Sequence, residues 1–355
     1  MLRDRLLQRI GTEGPLPFDD YMRMALYDPG EGYFATGPLR SEKAGDFLTS
    51  PEVSPLFGET IARVVDAEAQ RIGADPVDVV EIGAGSGSLL RPLVDVLESP
   101  ARAWAVELSA AARERLEERV PEAAVIASLD DLPPGRSGVI VANEVADNLP
   151  AAVTVRRETA WRELRVGAEG RDLVWVETEA RPEVAAWADR FAGPVPEGGR
   201  VEVQLEAFAW MQRLVGMLEA GSVLVVDYGE TGEGLAHRRA EGTLRTYRGH
   251  HLGPDPLLEP GETDVTMDVD VGALAAAARE AGASVEVVTQ AAFLERWGLG
   301  ERLATLRDRE LDLARSGGAM ERLRVRSAWT DGRTLLHPRG LGDFRVVVAS
   351  RGTAR

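Results

Sequence analysis

The sequence predicts an α/β protein built on a seven-stranded, doubly wound sheet, with a helical extension before it and a β-rich insertion after the fourth strand. Three observations carry this expectation. Val77, Val79, Val80 and Ile82 are too dense and too β-branched for a solvated face, and read as a parallel strand buried on both sides. Gly83, Ala84, Gly85, Ser86 and Gly87 follow at once and an apolar helical run begins at Leu89, so strand, glycine turn and helix make the opening unit of a nucleotide-binding sheet. Further short apolar runs, spaced by helical patterns, supply the remaining strands.

Residues 1–26 hold two helical patterns. Leu2, Leu6, Leu7 and Ile10 form one, stopped at Gly11; Phe18 to Leu26 form the other, begun near Asp19 and Asp20. The next stretch, 27–59, is rich in glycine and proline yet carries Tyr27, Tyr33, Phe34 and Phe47, so it reads as an ordered loop. Ser54 and Pro55 suit a helix start, and Phe57, Ile61, Val64, Val65, Ala69 and Ile72 give that helix one apolar face. After the glycine turn come a second strand, Ala103 to Leu108, a charged helix, Ser109 to Val120, and a third strand, Ala123 to Ser128. The fourth strand is Gly138 to Glu144. From Ala151 to Gly199 apolar and polar residues alternate as in antiparallel strands, with a turn at Gly167 to Gly170. Helical spacing returns over Val201 to Ala220, before a fifth strand, Ser222 to Val226. Residues 232–270 lack periodicity and read as an ordered lid around Tyr247, Arg245, Arg248, His250 and His251. A helix (Val271 to Ala281), a sixth strand (Ser284 to Thr289), charged helices interrupted at Gly317 and Gly318, and a late seventh strand (Phe344 to Ser350) complete the chain. Three parts follow: residues 1–76, helices and a loop covering the cofactor; 77–150 with 201–355, the nucleotide-binding domain; and 151–200, the insertion.

The glycine turn also narrows the ligand. A dinucleotide fingerprint needs a third glycine at position 88, which is Ser88. The spacing is instead G-x-G-x-G, Gly83, Gly85 and Gly87, with Glu81 two residues ahead. A carboxylate there sits badly beside a pyrophosphate but suits a cationic nucleoside, and S-adenosylmethionine, with a sulfonium and an ammonium, fits. Glu107 closes the second strand, beside Leu108, where an acid accepts both ribose hydroxyls. Ser128, at the end of the third strand, and Leu129, directly after it, fall where the adenine is read. Asn143, Glu144, Asp147 and Asn148 gather at the end of the fourth strand, where the transferred group is expected because ligands sit at the carboxyl ends of parallel strands. Asp46, Thr49, Ser50 and Glu52 read either as a polar loop closing over the methionine part of the cofactor or as helix capping.

Composition sets outer limits. With 355 residues and no cysteine, the chain is long enough for one large domain with an insertion and has no disulfide, thiol nucleophile or thiolate metal site. His250 and His251 are adjacent and point apart, with no evident third ligand, so no metal site is expected. A net charge of −17 argues against nucleic acid as substrate and favours a basic partner. No apolar run is long enough to span a membrane, and the N-terminus lacks a signal or transit pattern, so the expected location is cytoplasmic.

Three long motifs, GDFLTSPEVSPLFGE, NEVADNLP and GTLRTYRGHHLGPDPLLEPGETD, stand in order around these strands. Together they resemble the MidA-like family of S-adenosylmethionine-dependent methyltransferases over residues 18–350, and the strand count and glycine turn look like a class I methyltransferase. Mitochondrial members methylate an arginine of a respiratory complex I subunit. The resemblance therefore implies a protein arginine methyltransferase, with a respiratory complex subunit among the candidate partners. It also leaves open a cofactor-binding assembly factor with weak or absent catalysis, and a small-molecule methyltransferase. For a guanidinium acceptor, Glu144 and Asp147 would hold the planar cation and Asn143 would take a hydrogen bond from substrate or cofactor amine. The family's usual NEFFDALP reads NEVADNLP here, with Val145 and Ala146 in place of two aromatics.

Overall fold

Alternation of apolar residues along the central strands sorts the core into two layers. The computed structural model describes residues 1–35, 49–237, 240–248 and 251–352. Its main sheet comprises β1 (Val77–Ile82), β2 (Ala101–Val106), β3 (Ala124–Ile126), β4 (Arg136–Asn143), β5 (Leu218–Asp227), β6 (Ser284–Thr289) and β7 (Arg345–Arg351). Their spatial order is β6-β7-β5-β4-β1-β2-β3. The five strands from β5 to β3 run parallel, and β7 inserts antiparallel between β5 and β6. Val77, Val79, Val139, Val141, Leu224 and Val226 share a core with the helices Leu56–Ile72 and Leu90–Val96. The intervening Val80, Ile82, Ile140, Ala142, Val223 and Val225 face the opposite layer, the helices Leu205–Met217 and Val271–Glu280. From β1 the chain moves outward to β2 and β3, then crosses back to β4 on the other side of β1. That reversal leaves a crevice beyond the carboxyl ends of β1 and β4, the place where such sheets bind ligands.

The sheet has its tightest backbone approach at Gly138 of β4. A Cβ there would stand 1.9 Å from the Asp78 carbonyl oxygen of β1, and one on Gly221 of β5 would stand 1.9 Å from the Gly138 carbonyl oxygen. Both obstacles are main-chain atoms of central strands and cannot swing aside. Gly138→Ala is therefore expected to destabilise the fold by roughly 3 kcal/mol. A thermal melt matching the unsubstituted protein would contradict this.

The insertion forms the antiparallel strands Ala152–Arg157, Ala160–Glu169 and Asp172–Glu179. Three differences from the sequence expectation stand out. Residues 200–203 are a strand paired with Ala152–Arg157, and the helix begins only at Leu205. Val203 extends the apolar stripe of the following helix, but its spacing from Val201 fits one face of a strand and not of a helix, and pairing to the insertion fixes the strand. A helix, Pro182–Phe191, also closes the insertion, opening on a proline and burying Val184, Trp187 and Ala188. The β5 strand starts earlier than expected, at Leu218, across a register shift beside Ala220.

Leu16–Pro17, ahead of the helix Phe18–Tyr27, pairs with the middle insertion strand. Leu2, Leu6, Phe18 and Tyr21 then share one core with Val153 and Val166 of the insertion and with Val265 and Met267. The N-terminal helices and the insertion thus form a joint cap beside the crevice. Within 232–270, Arg245–Arg248, His251–Leu252 and Asp264–Thr266 make a small sheet.

Candidate functional site

A cavity of about 600 Å³ opens at the carboxyl ends of β1, β2 and β4, a size suited to a cofactor and part of a substrate. Thr49, Glu81, Gly83, Gly85, Glu107, Leu108, Ser128, Leu129, Asn143 and Glu144, all singled out from the sequence, line it. Gly83 and Gly85 take left-handed φ values of 68° and 50° that favour glycine, and turn the chain sharply off β1. The missing side chain of Gly83 leaves room for Val145, whose Cγ2 would lie 2.8 Å from a Cβ there. Gly85 N–H donates to Glu107 Oε2 at 2.8 Å and Ser109 N–H donates to Oε1 at 2.7 Å, so the carboxylate at the β2 tip is clamped from both sides. A carboxylate accepts about four hydrogen bonds. Glu107 keeps capacity for a pair of ribose hydroxyls.

Glu81 is 5% exposed, and its Oε2 accepts no hydrogen bond among the described residues. Burial, and then the nearby Glu107, hold its carboxyl well above the ordinary carboxylate range. Asn143 Oδ1 is likewise buried without a donor among the described residues, while its amide donates to Glu144 Oε1 at 3.0 Å. Two unsatisfied acceptors in one wall suit an ammonium or a sulfonium and would penalise an anion.

Glu144 follows β4 with φ 53°, a conformation costly for a side chain other than glycine and concentrated at functional sites. Its N–H remains tied to the Val226 carbonyl at 2.8 Å, and its Oε1 also accepts the Ser50 N–H at 3.2 Å. Burial, and next the charge of Asp147, raise its carboxyl from 4.5 to about 8.

The other expected site residues lie elsewhere. Asp147 is buried behind the cavity wall, where its Oδ2 accepts from the Tyr228 hydroxyl and, at 2.6 Å, from Thr266. Asp227 in turn accepts the N–H groups of Ala146 and Asp147 at 3.0 and 3.2 Å, and burial raises its carboxyl well above the usual range. Ser50 Oγ bonds Gln290, and Glu52 Oε2 accepts the Thr49 N–H at 3.1 Å in a capping box, so Thr49 rather than Ser50 caps the short helix Ser50–Val53, while Ser54 Oγ accepts the Leu56 N–H at 3.4 Å at the start of the next helix. Gly87 faces Leu116 and Val120, which makes it a packing position. Asp46 lies outside the described residues, as does His250. The segment expected as a lid stands behind the β4 tip: Asn148 Nδ2 donates to Asp264 at 2.8 Å, and Arg245 pairs with Asp268 at 2.5 Å.

Sequence reasoning missed one wall. Tyr27 and Phe34 from the cap line the cavity with ring centroids 5.7 Å apart, and the Tyr27 hydroxyl donates to the Asn148 carbonyl at 3.0 Å. Glu206, Trp210 and Arg213 line it from the helix Leu205–Met217. Their spacing, one helical face flanking the apolar stripe, was a signal in the sequence. Arg23 completes that wall, and nothing local marked it.

Known proteins place this geometry. The family described as "Putative S-adenosyl-L-methionine-dependent methyltransferase" matches residues 60–289. A mouse relative, "Protein arginine methyltransferase NDUFAF7, mitochondrial", is 31% identical across 87% of this chain and 76% of its own length. The homologue of that name from Drosophila melanogaster is 30% identical across 76% and 68%. A crystal structure from Burkholderia thailandensis, bound to S-adenosyl-homocysteine, superposes with a TM-score of 0.86 at 30% identity, covering 99% of this chain and 92% of that one. The expected cytoplasmic location does not stand, because these curated relatives are named as mitochondrial proteins. No helix among the described residues is long and apolar enough to cross a membrane. Sheet order, cofactor-sized cavity, family match and superposition agree: this chain belongs to the S-adenosyl-L-methionine-dependent methyltransferases.

Proposed function

We propose that this enzyme methylates a guanidinium nitrogen of an arginine in a protein substrate. The single observation that carries the reading is Glu144, a buried carboxyl fixed by Asn143 and the Ser50 N–H in the wall of the cofactor cavity. The names of the curated relatives support the same acceptor. S-adenosylmethionine, when bound, would supply a methyl carbon activated by the positive sulfur, with the C–S bonding pair leaving on sulfur as the new C–N bond forms. The protein's part is placement, charge and exclusion of water. Glu81 and Asn143 would hold the amine end of the cofactor, Glu107 the ribose, and Ser128 and Leu129 the adenine. Thr49 and the short helix Ser50–Val53 would cover the methionine portion. Glu144 would orient the substrate guanidinium by a charge-assisted hydrogen bond and take the proton the nitrogen sheds. Asp147, turned from the cavity, would set the backbone that aims Glu144 and contribute negative charge beside it.

The three-part division of the chain remains part of this proposal, with residues 1–76 and 151–200 supplying a cap that admits a polypeptide to the domain of 77–150 and 201–355. A respiratory complex subunit is the first partner to test, on the strength of the family resemblance. The test is methyl transfer from S-adenosylmethionine to arginine-containing and lysine-containing peptides, followed by mass spectrometry. Methyl-arginine is expected; transfer confined to lysine or to small molecules would overturn the reading.

A further inference from the structure

We infer that Glu206 and Trp210 form a guanidinium subsite at the cavity mouth, held in this structure by the chain's own Arg23. The inference rests on the arginine-methylation reading for its biological meaning, but its geometry stands on separate observations. Arg23 Nη1 and Nη2 donate to Glu206 Oε1 and Oε2 at 2.9 and 2.6 Å, the parallel two-bond fork that a carboxylate offers a guanidinium and cannot offer an ammonium. All three residues line the same cavity as Glu144 and Glu81. Arg23 and Glu206 are 53% and 32% exposed, against 5% for Glu81, so the pair sits at the rim while the cofactor acids sit deep.

The pairing joins two separate bodies. Arg23 projects from the helix Phe18–Tyr27 of the cap, and Glu206 lies in the first turn of Leu205–Met217, packed on the sheet. Trp210 lies one turn beyond Glu206 on the same helical face and also lines the cavity, so a flat aromatic surface accompanies the carboxylate. The next residue along that face, Arg213, is engaged by Asp130 at 2.6 Å, which leaves Glu206 as the carboxylate of this row that takes a cation.

A solvated ion pair of this kind contributes little stability, so an incoming arginine can displace Arg23 at small cost. Arg23 then acts as a built-in competitor: it keeps the subsite filled until a polypeptide bearing a guanidinium takes its place. Glu206 and Trp210 are specificity-determining residues in this scheme, since the chemical step occurs at the β4 tip.

The experiment uses the full chain loaded with S-adenosyl-homocysteine, titrated at low salt with N-acetyl-arginine methylamide and, as control, N-acetyl-lysine methylamide. Arg23→Met, which keeps the apolar stem, is expected to bind the arginine probe roughly three-fold more tightly and to lower KM for an arginine peptide in proportion. Glu206→Gln is expected to weaken binding and raise KM by about five-fold or more, with kcat within two-fold. The lysine probe, which pairs as a point charge without the fork, should respond to each change less than the arginine probe does. Unchanged arginine binding in Glu206→Gln, or weaker binding in Arg23→Met with an unshifted melting temperature, would overturn the subsite. Methyl transfer to a residue other than arginine, with the two binding shifts intact, would instead remove the proposed acceptor and leave the subsite standing.

Discussion

Glu144→Gln should lower kcat for methyl transfer by roughly 100- to 1,000-fold while leaving cofactor affinity within a few fold, the loss expected when a positioned proton acceptor is removed. Glutamine keeps the size and the Oε1 that accepts from Ser50 and Asn143, so the local bonds survive and the charge does not. The pH dependence adds a second readout. With its carboxyl near 8, Glu144 holds a proton at neutral pH in the unliganded chain and becomes a carboxylate as pH rises. The kcat/KM of the native enzyme should climb towards a plateau above about pH 8, and Glu144→Gln should lose that climb. Stability moves oppositely. A group raised from 4.5 to about 8 makes the folded chain the better proton binder, so stability falls as pH rises through that window. Glu144→Gln should therefore melt increasingly above the native protein towards pH 8 and match it below 4.5. Full activity in the variant, or loss of cofactor binding, would assign the residue a different role.

The path from sequence to this site is uneven for physical reasons. The run from Val77 to Gly87 was legible because burial on both faces and a glycine turn each leave a local signature, and Glu107 followed from its place at the next strand end. The ends of strands were legible as the site's location. Which side chain faces the cavity there was not: the left-handed φ of Glu144 brings that residue into the wall, while Asp147 turns inward to Tyr228 and Thr266. Only long-range packing determines that choice. The cap was hidden for the same reason, since its core gathers Leu6, Val166 and Met267 from three distant stretches. Val203 shows the converse problem: it continues the stripe of the helix after it and also alternates with Val201, and the partner strand selects the second pattern. Val145, where the family's motif has an aromatic, is explained in part by contact: it closes over Gly83, while Ala146 is buried with its N–H on Asp227.

Glu107→Ala should raise the dissociation constant for S-adenosylmethionine by roughly 100-fold, because charge-assisted hydrogen bonds each contribute about 1.5–3 kcal/mol and the variant loses those to both ribose hydroxyls. It also releases Gly85 N–H and Ser109 N–H, so part of the effect is a looser glycine turn. The two contributions separate in a double cycle. Calorimetry with S-adenosyl-homocysteine and with its 2′,3′-dideoxy analogue, on native and variant protein, gives the coupling between the carboxylate and the hydroxyls. The native chain should discriminate strongly between the ligands and the variant weakly. Equal discrimination would mean that Glu107 acts only through the turn. At saturating cofactor the variant should keep kcat within a few fold, the reverse of Glu144→Gln, because the role proposed for Glu107 is to hold a part of the ligand remote from the bond that changes. A variant that binds as tightly as the native chain would place the nucleoside away from the ends of β1 and β2, and the role proposed for Glu81 would fall with it.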